Sequence, residues 1–182
     1  MRVDEELWAR WIDGDEQAGA DLFRRHFLAI HRFFTSKLRD IADELTQRTF
    51  LAAVESRARV VGPCSVRAYL FGIARKQLLR HLEGRGVRIG DDASLHTSIF
   101  EIEPSPSDVA AVIESRDRVR VALRKIPLDH QIAIELHFWE GLTVAEIAVA
   151  LEIPEGTVKS RLSRAKDALR EVLARMPGIQ TL

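Results

Sequence analysis

The chain has 182 residues, 46% of them hydrophobic and 30% charged, a balance that fits one large or two small folded domains and excludes a disordered chain. Its 27 Lys and Arg are matched by 27 Asp and Glu, so any nucleic-acid role must come from how charge is distributed, not from its sum. The lone Cys64 excludes an internal disulfide, and no Cys/His cluster has metal-site spacing, so neither metal nor cofactor is expected. No apolar run approaches the ~20 residues of a membrane span. The acidic start MRVDEELWARW lacks a secretory core, and a cytoplasmic protein is expected.

In chain order, Leu7, Trp8 and Trp11 stand at helical spacing in a first helix from Asp4 to Ile12 that stops at Gly14. Asp15 or Glu16 opens a long second helix to about Leu38, whose stripe Leu22, Phe23, Phe27, Ile30, Phe33 and Phe34 is rich in aromatics. A turn near Asp40 leads to a third helix through Leu45, Phe50, Leu51 and Val54. Gly62 and Pro63 then break the pattern in a loop. A fourth helix from about Val66 to Glu83 is expected to bury Tyr69, Leu70, Ile73, Leu78 and Leu82. Gly84, Gly86 and Gly90 end it; with no preceding strand and the third glycine off register, they form no dinucleotide fingerprint. From Asp91 to Ser107 the chain has little periodicity and reads as a flexible linker. Helices resume over Asp108–Ile126 and over Leu128–Glu140, the latter closed by Gly141. No convincing strand is visible.

The stretch Thr143 to Leu162, TVAEIAVALEIPEGTVKSRL, carries the densest signal. Thr143 and Glu146 form a capping box, and Val144, Ile147, Ala148 and Leu151 make one apolar face. Pro154 suits the first turn of a second helix, where Val158, Leu162, Ala165 and Leu169 form a new stripe and the helix runs to about Arg175. At ~100° per residue, Ser160, Ser163 and Arg164 point outward, flanked by Lys159 and Arg161. A scaffold helix, a turn and a basic second helix make a helix-turn-helix suited to the major groove.

Charge is unevenly placed. Over 91–117, Asp91, Asp92, Glu101, Glu103, Asp108, Glu114 and Asp117 face only Arg116, a balance of −6 that the rest of this neutral chain must offset. Arg75, Lys76, Arg80, Arg85 and Arg88 form one basic block, and Lys159 to Arg170 hold another. The expectation is an all-α protein of two small helical domains, 1–89 and 108–182, joined by a flexible acidic linker at 90–107.

With these features in place, the chain resembles the extracytoplasmic-function sigma factors of bacterial RNA polymerase over nearly its whole length. IPLDHQIAIELHFWEGLTVAEIAVALEIPEGTVKSRLSRAKDALREVL is similar to the family's region 4, and DELTQRTFLAAV and VRAYLFGIARKQLLRHL are similar to its region 2. The resemblance implies a four-helix region 2 domain and a region 4 domain that together direct core RNA polymerase to promoters. It implies that Lys159, Ser160, Arg161, Ser163 and Arg164 contact the minus-35 element. It further implies that Arg59, Ser65, Arg67, Arg75, Lys76 and Arg80 meet the minus-10 element, and that the loop Arg59 to Ser65 captures an unstacked base. Asp43, Glu44, Leu45, Gln47 and Phe50 match the family's polymerase-docking segment, and the linker matches its connector through the polymerase channel. An anti-sigma partner is also implied; a small-molecule substrate and membrane insertion are not. Three positions depart from the family's pattern: Tyr69 where Trp is common, Lys76 where Asn is common, and Glu152 where Gly is common. If the last needs a left-handed backbone, Glu152 costs ~1–2 kcal/mol there. An autonomous helix-turn-helix regulator is the alternative reading. An enzyme has little support, since Walker, HExxH and nucleophile-elbow motifs are absent from the sequence.

Overall fold

A computed structural model describes residues 3–57, 65–86 and 115–176, and among these it is all-α, with eight α-helices and no strand. The linker, Arg59, Cys64 and Arg88 lie outside the described residues, and so does the loop up to Ser65.

In the N-terminal half, α1 (Val3–Ile12) and α2 (Glu16–Thr35) form a hairpin. Asp15 caps α2 by accepting from the Ala18 N–H at 3.1 Å, and Arg10 Nη2 reaches back to the same carboxylate at 2.6 Å. Gly14 makes the turn at φ +102°, a conformation side chains resist. Gly19 has a different reason: a Cβ there would lie 2.5 Å from the Trp11 ring, so the buried indole sits directly on the α2 backbone. Trp11 also packs edge-on to Trp8 at 5.2 Å and to Phe23 at 5.0 Å. α2 ends at Thr35 rather than near Leu38, because the Ser36 N–H closes the last turn onto Arg32 and Phe34 carbonyls. Lys37 and Leu38 then turn inward and are buried. Phe27, read as part of the buried stripe, is 43% exposed at its edge.

α3 (Ala42–Ser56) follows a 3-10 turn at Arg39–Ile41. α4 (Val66–Gly84) starts at Ser65, whose side chain accepts from the Ala68 N–H at 3.2 Å. Its buried residues, Val66, Ala68, Leu70, Phe71, Ala74, Leu78 and Leu82, do not keep to one stripe, because α4 packs against α3 on one side and the C-terminal half on the other. Tyr69 and Ile73, expected in the core, are only partly buried.

The C-terminal half contains α5 (Ser115–Arg124), α6 (Leu128–Ile134), α7 (Val144–Leu151) and α8 (Glu155–Arg175). α6 continues as a wider π turn over Glu135–Trp139, where the Glu140 N–H reaches the Glu135 carbonyl at 3.0 Å. Gly141, at φ +66°, ends it as expected. The Thr143–Glu146 capping box opens α7 with both reciprocal bonds, at 3.2 and 2.8 Å. Glu152 adopts the left-handed conformation, φ 56° and ψ 42°, and Pro154 leads into α8.

The two halves share one apolar core that runs from Trp11 through Leu70 and Ile132 to Leu162. A smaller cluster of Leu123, Ile126, Ile134 and Ala165 holds α5 onto α8.

Candidate nucleic-acid and polymerase interfaces

On α8, Val158, Leu162 and Ala165 face the core, which turns Lys159, Ser160, Ser163 and Arg164 to solvent. The Arg164 guanidinium is steered by its own helix, with Nε donating to the Ser160 carbonyl at 3.3 Å and Nη2 to Ser160 Oγ at 3.2 Å. Lys166 and Arg170 extend the basic surface along α8, and Lys166 Nζ lies 5.2 Å from the Phe138 ring.

Arg161 is not on this surface. It is buried, and its Nε lies 3.3 Å from Asp129 Oδ2 on α6, itself buried. Burial pushes its guanidinium below the usual range, against the pull of Asp129. Its helical angle put it at the margin of the outward arc; a carboxylate on another helix decides that the side chain folds inward. It acts as a strut holding α8 on α6, and helical spacing alone carries no sign of that partner.

On α4, the expected minus-10 set divides. Ser65 is the helix cap. Arg67 donates to the Glu140 main-chain oxygen and lies 3.4 Å from its Oε2, while Arg32 contacts Oε1 at 2.9 Å. Lys76 Nζ is 2.5 Å from Glu152 Oε1. Arg75 is held below its usual range chiefly by burial, with the Arg161 charge adding to the effect and Glu152 and Asp129 opposing it. Arg80 is exposed. Tyr69 is pinned by a 2.6 Å hydrogen bond with Ser56 and by edge contact with Trp8.

On α3, Asp43, Glu44 and Gln47 are exposed, whereas Leu45 and Phe50 are buried and shape the helix from within. Asp43 Oδ1 lies 2.9 Å from His31 Nε2, and Glu44 pairs with Arg48 at 2.6 Å. The sequence reading took Leu51 and Val54 as apolar positions of this helix and passed over Leu28, but Leu51 on α3 is 58% exposed and Leu28 on α2 is 70% exposed, with Phe27 and Val54 also partly open to solvent. The available signal was spacing, since Leu51 follows Glu44 by two helical turns on the polar side.

Residues 22–87 match sigma-70 region 2, and residues 116–177 match sigma-70 region 4. The extracytoplasmic-function RNA polymerase sigma factor SigM of Mycobacterium tuberculosis is 31% identical over 174 residues, covering 94% of this chain and 85% of that protein. The fold is similar to that of CnrH in complex with the cytosolic domain of CnrY, at TM-score 0.72 and 21% identity over 95% of this chain and 98% of that one. The sigma factor RpoE of Bartonella quintana, solved with the anti-sigma factor NepR, matches at TM-score 0.65 and 24% identity over 86% of this chain and 96% of its own.

Proposed function

We propose that this chain, which belongs to the extracytoplasmic-function sigma factors of RNA polymerase, binds core polymerase and directs it to promoters through two DNA-reading surfaces. The observation that carries the reading is the capped α7, the left-handed turn at Glu152 and the exposed Lys159, Ser160, Ser163 and Arg164 of α8, all within the region 4 match. α8 enters the major groove of the minus-35 element, where an Arg bidentate to guanine supplies ~1–3 kcal/mol of discrimination and Lys or Ser holds phosphate. Arg161 supports that helix from behind. α4, with Arg67, Arg75, Lys76 and Arg80, follows the minus-10 strand, and Arg59 in the preceding loop helps hold an extruded base, whose unstacking costs a few kcal/mol.

The polymerase-docking face is the exposed side of α3, with Asp43 and Glu44 for charge, Gln47 for hydrogen bonding and Leu51 for apolar contact. Acidic residues rimming apolar ones suit a basic partner helix. Functional boundaries follow the sequence: 1–89 for docking and minus-10 reading, an acidic connector at 90–107, and 108–182 for minus-35 reading. An inhibitory partner of the anti-sigma kind fits the complex of the sigma factor RpoE with the anti-sigma factor NepR, whose fold this chain shares. Among the described residues no helix is long and apolar enough to cross a membrane, and the site of action proposed is the cytoplasm, where polymerase works.

Gel shift on promoter DNA, with and without core polymerase, tests the reading. A specific complex that requires both proteins is expected; tight specific binding by the isolated chain would favour an autonomous regulator.

A further inference from the structure

α1 lies outside the region 2 match, which begins at residue 22, yet its two tryptophans touch both flanks of the chain between α3 and α4. Trp8 meets the Tyr69 ring in a T-shaped contact with centroids 5.2 Å apart. Tyr69 stands in the first turn of α4, and its N–H closes that turn onto the Ser65 carbonyl at 3.0 Å. One turn along α1, the buried Trp11 ring carries the Arg57 guanidinium 5.1 Å from its centroid, within cation–π range. Arg57 follows Ser56, the last residue of α3, and its Nη1 also lies 3.4 Å from Glu16 Oε1 at the start of α2. A direct bond ties the flanks to each other, because Ser56 Oγ and the Tyr69 hydroxyl are 2.6 Å apart. Proton counting gives its direction. The one Ser56 hydroxyl proton goes to the Ala52 carbonyl, so Tyr69 donates and Ser56 Oγ accepts. α1 itself is fixed from below: Trp11 rests on α2 where Gly19 has no Cβ, and Asp4 lies 2.8 Å from Arg25 and 3.0 Å from His26.

We infer that α1 is a positioning element for base capture: Trp8 and Trp11, acting through Tyr69, Ser56 and Arg57, fix the two points between which the α3–α4 loop is strung. This role rests on the reading that the loop receives an extruded base. Unstacking a base costs a few kcal/mol, which binding of the extruded base must offset. A receptor whose ends must first be ordered loses part of that binding energy to conformational entropy. Ends already held on a rigid helix avoid the loss. Trp8, Trp11, Tyr69, Ser56 and Arg57 are therefore positioning residues, which act through the loop.

The test is binding of the full chain, assembled with core polymerase, to a single-stranded oligonucleotide carrying the non-template minus-10 sequence of a promoter it uses. An abasic site is placed at each position in turn. In the parent, one position should be costly to strip, by roughly 5- to 150-fold in affinity. Tyr69→Phe and Ser56→Ala each remove the hydroxyl bond and little volume. In both, that penalty should shrink at least about threefold while the penalties at other positions hold. Arg57→Met should do the same from the other flank. Ser56→Thr keeps the hydroxyl and should keep the parental pattern. Helix content by circular dichroism and the melting temperature check the fold of each variant. A full penalty in Tyr69→Phe and Ser56→Ala would overturn the positioning role, and a full penalty in Arg57→Met would overturn the part assigned to Trp11. Affinity lost by the same factor at every position would mark a merely structural contact and overturn it as well. If no position is costly in the parent, base capture itself fails and the positioning role with it.

Discussion

Glu152 sits where the backbone must pass through the left-handed region between α7 and α8. A side chain with a Cβ costs ~1–2 kcal/mol there, and the ion pair to Lys76 repays little because both groups are more than half exposed. Asn tolerates this conformation better, so Glu152→Asn should raise the melting temperature by a few degrees, at ~2–4 °C per kcal/mol for a chain of this size. A melting point that stays put or falls would mean the turn is not strained. His26 offers a second residue-scale test. It is buried on α2 with Nε2 3.0 Å from Asp4 Oδ2, and burial pushes its pKa below the ordinary 6.5 more than Asp4 pulls it up. As pH falls through 6.5, the unfolded chain takes up the proton before the folded one does, so stability is full above that value and declines toward the lower folded pKa. His26→Gln should flatten this decline in melting temperature measured from pH 7 to about pH 5. Parallel curves for the two proteins would refute it. At this scale the Thr143–Glu146 cap and the left-handed need at Glu152 were legible, because each depends on residues within four positions. Arg161 was not: its partner Asp129 lies on another helix, and helical spacing alone left the side chain at the edge of the arc.

At the scale of elements, α8 separates reading from support. Lys159→Ala and Arg164→Ala remove exposed side chains and should reduce transcription from minus-35-dependent promoters, by roughly 5- to 150-fold where a base contact is lost, without shifting the melting temperature. Arg161→Ala should do the opposite first, lowering stability by about 3–5 kcal/mol, because it strands buried Asp129. If Arg161→Ala melts like the parent, the strut is wrong; if Lys159→Ala and Arg164→Ala both transcribe normally, the groove assignment is. On α3, Asp43→Arg with Glu44→Arg should reduce capture of core polymerase in a pull-down, and undiminished capture would count against that face. The helices were largely readable from periodicity, but their ends and edges were not. α2 stops at Thr35 because Ser36 closes it and Lys37 turns inward toward Glu135, and Phe27 falls outside the core because α3 covers only part of the stripe. Leu45 and Phe50 match a docking motif, yet their side chains point into the bundle, leaving Leu51 to the surface.

At the scale of the molecule, the sequence separates two helical units across an acidic stretch, while the folded chain brings them together through one core. That closure could not be seen in the residues, since Lys37 and Glu135 are 98 positions apart and neither is a strong signal alone. Even α4's weak amphipathicity reads as an ordinary helix until two partners are found, one on each side. A neutral chain whose basic residues are partly held by its own acids is not built to bind DNA tightly by itself, which is what a polymerase-dependent factor requires. The central claim is tested most directly by run-off transcription with purified core polymerase on promoters found by sequencing transcripts after overexpression. A start-site-specific transcript that needs both the chain and the core enzyme is the expected result. The same transcript without the chain, or none with it, would contradict the account.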